Sequence, residues 1–232
     1  MPTSTTSTAS AATPVAALAQ QLLRIDTSNP GHAEKPAGAM VADHLAGLGV
    51  AVLWFEPEPG RTSVVARVPG QDRTLPALLL HAHLDVVPAV DGDWQHDPFG
   101  GELHDGFLWG RGAVDMKGTV AIVLDTLRRL HERGQPPRRD LVIAFFADEE
   151  AGGLLGAGHL TRTRPDLFAD CGAAIGEVGG FSHRLSEHHR AYLVATGEKG
   201  VWWSRVVARG RAGHASMINP DNPVTHLVKA LD

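Results

Sequence analysis

Residues 76–88, Pro-Ala-Leu-Leu-Leu-His-Ala-His-Leu-Asp-Val-Val-Pro, decide the fold. Pro76 to Leu80 is a short aliphatic run without polar alternation, the pattern of a strand buried on both faces, and His81, His83 and Asp85 follow it directly. The arrangement recurs at Leu141 to Ala147, which runs into Asp148-Glu149-Glu150, and at Ala173 to Gly176, which runs into Glu177. Between these strands Val120, Val123, Leu124, Leu127 and Leu130 trace one face of a helix that starts near Lys117 and is closed by Gly134 and Pro136-Pro137. Upstream, Val15, Leu18, Leu22 and Ile25 predict a helix ended by Asn29-Pro30-Gly31, and Val41, Leu45 and Leu48 predict a second with Gly49 just past its end. Val50 to Trp54 and Ser63 to Val68 read as strands around a Pro59-Gly60 turn, and a helical stretch falls near Gly153 to Thr161. Strands alternating with helices predict an α/β fold, a mostly parallel sheet flanked by helices, whose ligands gather at the carboxyl ends of strands.

The chain has 232 residues, 43% hydrophobic and 20% charged, enough for one sizeable core. Lys and Arg number 21 against 26 Asp and Glu, a formal net charge of −5, so there is no basic field to hold nucleic acid or an anionic membrane. The first residues lack the basic and apolar regions of a leader, and no apolar run approaches the roughly 18–20 residues of a membrane span. A cytoplasmic location is expected. The single cysteine, Cys171, excludes a disulfide framework and a thiolate metal site and reads as a structural thiol. Histidine, by contrast, occurs 13 times. His44, His131, His159 and His226 fall in helix-like stretches and read as surface residues.

Residues 1–13 read as a disordered tail and 14–198 as the α/β domain. The texture then changes, and residues 199–232 read as the beginning of a small second domain, α+β in character: a long strand from Val201 to Arg209, a Gly-rich turn, and a helix opened by Asn222-Pro223. The helix reaches Asp232 without a capping glycine, which predicts a truncation within this domain.

His81-Ala-His83-Leu-Asp85, Gly110-Arg-Gly-Ala-Val-Asp115-Met-Lys-Gly118, Asp148-Glu149-Glu150 and Gly176-Glu177 all fall at or just beyond strand ends or before a helix. Each has an ordinary explanation alone. Asp115 could cap the helix that follows, the acidic triplet could be a solvated turn, and the histidines could be surface residues. Those explanations do not account for the recurrence of imidazole and carboxylate, the metal ligands left to a cysteine-poor chain, at successive strand ends. Two adjacent cations need a shared carboxylate with one His or carboxylate on each side, and these residues supply that inventory.

In order and spacing, HAHLDVVPA (81–89), GRGAVDMKG (110–118), ADEEAGG (147–153) and IGEVGG (175–180) resemble the motifs of the M20 family of co-catalytic zinc metallopeptidases and amidohydrolases. That family includes carboxypeptidases, aminoacylases, dipeptidases and acyl-amino-acid deacylases. The resemblance spans Val15 to Asp232 and implies a zinc exopeptidase-like catalytic domain followed by a lid and dimerisation domain. It implies that His83 and Glu177 bind one zinc, Glu150 binds a second, and Asp115 bridges them, with Co2+ or Mn2+ as alternatives. Asp85 would orient the His83 imidazole through its carboxylate, and Glu149 would be the general base. A cis peptide is implied between Asp115 and Met116. Arg211-Ala-Gly213-His214-Ala-Ser216 resembles the lid motif whose histidine reaches a partner's active site in a homodimer, although a plain turn histidine reads equally well from the residues alone.

Two departures accompany the resemblance. His81 stands where the family usually has Gly and is expected near the site without being a ligand. The family's last zinc ligand, a histidine beyond the lid, is not reached by residue 232. The expected activity is zinc-dependent hydrolysis of an amide bond in a dipeptide, C-terminal peptide or N-acyl amino acid. Without that histidine, residues 1–232 are expected to be inactive alone, and the rival expectations are a non-catalytic fragment and a metal-dependent enzyme acting on other bonds.

Overall fold

Thr13, assigned above to the tail, is the N-cap of the first helix: its Oγ1 accepts from the Ala16 N–H at 3.4 Å, ahead of α1 (Pro14–Leu23). The computed structural model describes residues 13–90, 92–177, 182–192, 200, 204–214 and 216–231. They fall into two units, Met1–Val194 and Ala195–Asp232.

In the first unit α2 (Lys35–Gly47) ends with Gly49 at φ 74°, the left-handed closure its position predicts. A hairpin follows, β1 (Val52–Glu58) and β2 (Arg61–Val68), then β3 (Ala77–His83), a short hairpin of β4 (Glu102–His104) and β5 (Phe107–Trp109), and α3 (Lys117–Glu132). The unit continues through β6 (Leu141–Phe146), a 3-10 turn at Glu149–Ala151, α4 (Ala157–Thr163), β7 (Cys171–Ile175), β8 (Ser182–Arg184) and β9 (Arg190–Tyr192). Five strands form one mixed sheet in the order β1-β2-β6-β3-β7. β3 is parallel to both β6 and β7, as the uninterrupted aliphatic runs predict, while β2 joins β6 antiparallel and carries β1 on its outer edge.

Alternation along the strands divides the core. Leu78, Leu80, Ala82, Ile143, Phe145, Val64 and Ala66 face Leu18 and Leu22 of α1, Val41 and Leu45 of α2, and Val120, Leu124 and Leu127 of α3. On the other face Val65, Leu79, Val142, Ala144 and Phe146 pack with Leu160 of α4 and Phe168. Each fully buried Val, Leu, Ile or Phe among them contributes about 1.5–3 kcal/mol. This double covering holds the carboxyl ends of β3 and β6 rigid beside each other, with His83 opposite Phe146 in register.

The helix expected from Gly153 begins later, at Ala157, because Gly152 and Gly153 take φ 106° and 68° and carry the chain away from helical geometry. Gly156 then lets the chain pass the end of β6, where an added Cβ would stand 1.9 Å from the Ala147 carbonyl oxygen. Gly156→Ala should therefore destabilise the first unit by about 1–3 kcal/mol, read as a lower urea midpoint at unchanged m-value; an unchanged midpoint would show that the contact relaxes freely.

Below the sheet, Asp140 Oδ1 accepts from the Gly70 N–H and its Oδ2 from Arg67 Nε, both at 2.8 Å. The Gly70 N–H, and then Arg67, hold its carboxyl below the ordinary 3.8, although partial burial opposes them. A carboxyl depressed on folding adds stability above its unfolded value and loses it as pH falls through the folded one. Urea midpoints should fall below about pH 3.8 and fall less steeply in Asp140→Asn; parallel pH profiles would remove Asp140 from the acid response.

The second unit corrects one expectation. Residues 204–210 are not in a strand, because no described strand lies alongside to accept the ladder bonds that a strand needs, and Val201, Trp202 and Trp203 lie outside the described residues. The helix opened by Asn222-Pro223 is α5 (Pro223–Leu231), and the Asn222 side chain accepts from the Val224 N–H at 2.9 Å. No helix among the described residues is long and apolar enough to cross a membrane.

Candidate metal centre

His83 is the last residue of β3, and its side chain is 2% exposed. Its Nδ1 lies 2.9 Å from the Asp85 backbone carbonyl and its Nε2 lies 2.8 Å from Asp115 Oδ1. With Nδ1–H donated to the carbonyl, the Nε2 lone pair is turned toward the carboxylates, the orientation in which an imidazole ligates a cation. The expected partner was the Asp85 carboxylate, but its Oδ1 stands 3.7 Å from Nδ1.

The Asp85 carboxylate is committed elsewhere. Oδ1 accepts from the Glu149 N–H at 3.0 Å, and Oδ2 accepts from the Glu150 N–H at 3.1 Å and Asn29 Nδ2 at 2.9 Å. Asp85 is fully buried and fixes the backbone of the Glu149–Ala151 turn while its own carbonyl fixes His83. One residue thereby positions both sides of the cluster.

Asp115 is not a helix cap. Met116 occupies the N-cap position of α3 without a side-chain cap bond, the Asp115–Met116 peptide is cis as expected, and the Asp115 carboxylate turns to His83. Glu149 Oε2 and Glu177 Oε2 lie 3.8 and 3.9 Å from His83 Nε2. One donor atom from each of His83, Asp115 and Glu177 lies within 4.8 Å of the others, and the same holds for His83, Glu149 and Glu150. His83, Asp115, Glu149, Glu150 and Glu177 are brought together and both triplets pass through His83, but Glu150 is grouped with Glu149, expected as the base, and not with Asp115.

The electrostatics are those of a site built for positive charge. Burial opposes charging of His83, yet the Asp85 carbonyl and the carboxylates of Asp85, Glu149 and Asp115 raise its pKa. Burial and then the Asp115 charge raise Glu150 and Glu177. Four carboxylates crowded around one imidazole repel one another in the absence of a cation, and imidazole with carboxylate is a donor set that zinc accepts. The residues fit the implied metal.

His81, two residues before His83 on β3, lies beside this cluster. Its ring packs against Gly176, where an added Cβ would come within 2.2 Å, and stands 6.2 Å from the Phe146 ring. Cys171 opens β7, and burial, then Asp170, pushes its thiol up, so it remains a packing residue. His214 belongs to the second unit, where its Nδ1 lies 2.8 Å from Ser216 Oγ in an exposed turn.

Four supporting residues, Asn29, Glu34, Arg61 and Lys117, escaped sequence reasoning. Asn29 Nδ2 donates to Asp85 and, at 3.2 Å, to Asp148 Oδ1. Asp148 in turn accepts from the Leu155 N–H, and its own N–H reaches Glu34 Oε1, which is paired with Arg61 at 2.6 Å. Lys117 is fully buried, donates to the Ile25 carbonyl at 2.6 Å, and is pushed down to about 8 by burial against the pull of Asp26 and Asp85. A polar dipeptide before proline and a lysine at a helix start were the only signals, and both have commoner uses.

An α/β unit with an imidazole and carboxylate cluster at the carboxyl edge of its sheet is the class defined so far. Residues 79–231 match peptidase family M20/M25/M40, and the chain belongs to that family. It is 35% identical to aminoacylase-1 of Sus scrofa over 221 residues, which cover 94% of this chain and 53% of the relative. It is 34% identical to succinyl-diaminopimelate desuccinylase of Methylobacterium radiotolerans over 221 residues, 91% of this chain and 53% of that protein. The chain thus spans about half the length of the curated relatives it matches. In fold it resembles human carnosine dipeptidase 1, with a TM-score of 0.61 at 24% identity over 70% of this chain and 37% of that one.

Proposed function

We propose that the protein is a zinc-dependent hydrolase of an amide bond next to a free carboxylate, with N-acyl amino acids as its first substrate class and dipeptides or C-terminal peptides as the second. The convergence of Asp115, Glu149 and Glu177 on His83 Nε2, with Glu150 in the same cluster, carries this reading. The names of the two relatives at 34–35% identity favour N-acyl amino acids.

His83, Asp115 and Glu177 hold one ion, and Asp115 and Glu150 contribute to a second, with Co2+ or Mn2+ acceptable in place of zinc. Bound there, the ions supply Lewis acidity that makes water nucleophilic near neutral pH and polarises the scissile carbonyl. Glu149, with its side chain 52% exposed, is the more open of the adjacent pair and takes the role of base. It accepts a proton from the attacking water and delivers it to the departing nitrogen, so that a C–O bond forms, the C–N bond breaks, and a carboxylic acid and an amine are released. Asp85 holds the Glu149–Glu150 backbone in place throughout. The protein works in the cytoplasm as a homodimer through the second unit, and His214 of each subunit hydrogen-bonds the developing oxyanion in its partner's site.

The test is a panel of N-acetyl amino acids, dipeptides and carboxylate-free esters, assayed before and after chelation. Metal-dependent release of amine from N-acetyl amino acids supports the assignment. Ester cleavage with inert amides would move the protein to another reaction class.

A further inference from the structure

A second set of imidazole and carboxylate donors lies on the β4–β5 hairpin and shares no residue with the His83 cluster. Glu102 and His104 are two apart on β4 and project from the same face, and the left-handed Asp105-Gly106 turn fixes the register by which Glu102 faces Trp109. His96 reaches them from the preceding loop, whose end is tied down where the Arg111 N–H donates to the Pro98 carbonyl at 2.7 Å. The His96 and His104 rings stack with centroids 3.9 Å apart, and Trp109 packs against His96 at 4.5 Å. Glu102 Oε2 lies 2.6 Å from His104 Nε2 and 3.7 Å from His96 Nδ1. One donor atom from each of the three residues lies within 4.8 Å of the others.

We propose that His96, Glu102 and His104 bind a single divalent transition-metal ion of the zinc and nickel class, leaving a fourth position for water. Two imidazoles and one carboxylate make a three-ligand zinc set, and donors of this softness also accept nickel and cobalt. Zinc bonds of about 2.0–2.2 Å put tetrahedral donors roughly 3.4 Å apart, so on binding Glu102 and His104 part from their direct contact at 2.6 Å while His96 draws in from 3.7 Å. The stacked rings splay in the process, since each lone pair lies in its ring plane, and His104, with its side chain 45% exposed, has room to turn. The bound ion staples the His96 loop to the hairpin and thereby stabilises the unit by mass action.

The 232-residue chain, stripped with chelator, is titrated with zinc chloride while the imidazole signals of His83, His96 and His104 are followed separately by NMR. The His96 and His104 signals should move together with a single midpoint. His104→Ala should weaken that step about tenfold or more, with Glu102→Gln weakening it in the same direction. Thermal scans should show a zinc-dependent rise in Tm that shrinks in both variants. Signals of His96 and His104 that respond to pH but not to zinc would overturn the site, as would an unchanged zinc step in the two variants. The His83 signal reports its own cluster, so failure of either site is read independently of the other.

Discussion

Glu149→Gln should reduce turnover of an N-acetyl amino acid roughly 100- to 10,000-fold while leaving zinc content nearly unchanged, because a positioned general base is worth about that much and the amide cannot take the proton. Glu150→Gln should act in the opposite way, lowering zinc content first and activity with it. The pair is a strict comparison, since both residues sit in the same 3-10 turn, both backbone N–H groups are held by Asp85, and both substitutions keep the side-chain shape. Their environments differ: Glu150 is half-buried and pushed up by burial and the Asp115 charge, whereas Glu149 is exposed. Metal loss in Glu149→Gln together with metal retention in Glu150→Gln would exchange the two roles.

Asp85→Ala should be the most damaging single change behind the cluster. It strips the acceptor from Glu149 N–H, Glu150 N–H and Asn29 Nδ2 at once. A hydrogen bond to a charged group contributes about 1.5–3 kcal/mol, so a loss of roughly 3 kcal/mol or more is expected even after local relaxation and water entry. Zinc affinity should fall by about 10- to 100-fold, since the turn bearing both glutamates is released. Asn29→Ala removes only one of the three donors, and its effect should be smaller on both urea midpoint and zinc affinity. Equal effects of the two variants would contradict the account of Asp85 as the common support.

The legible parts of the structure were those whose cause is local. The run Leu78 to Leu80 and the stripe from Val120 to Leu130 announce a buried strand and a sheet-facing helix because burial and period coincide there. The cluster was legible for a related reason: His83, Glu150 and Glu177 end or follow strands, and Asp115 precedes a helix, that the pattern already located. Short elements did not announce themselves. β4 and β5 have three residues each, too few for alternation, although Asp105-Gly106 between Leu103 and Leu108 is a hairpin signal that would have found them. β8 and β9 had no such marker. The strand expected at Val201–Arg209 rested on β-propensity alone, which over the described residues 204–209 does not form a strand without a described neighbour to pair with.

Support residues were hidden by distance. Asn29 meets Asp85 across 56 positions and Asp148 across 119, and Lys117 meets the Ile25 carbonyl across 92, so nothing in their own neighbourhood foretells the contact. Asp85 shows the finer limit. Its place two residues after His83 suggests a carboxylate bonded to the imidazole, but the backbone carbonyl lies nearer to Nδ1 and leaves the carboxylate for the Glu149–Ala151 turn.

The claim that the His83 cluster is a metal centre is tested most directly by anomalous diffraction at the zinc edge from crystals grown with zinc. The account predicts density within about 2.0–2.2 Å of His83 Nε2 and a carboxylate oxygen of Asp115, lost in Asp115→Ala. Zinc-containing crystals that show no anomalous density there, with His83 Nε2 still bonded directly to Asp115 Oδ1 at 2.8 Å, would contradict it.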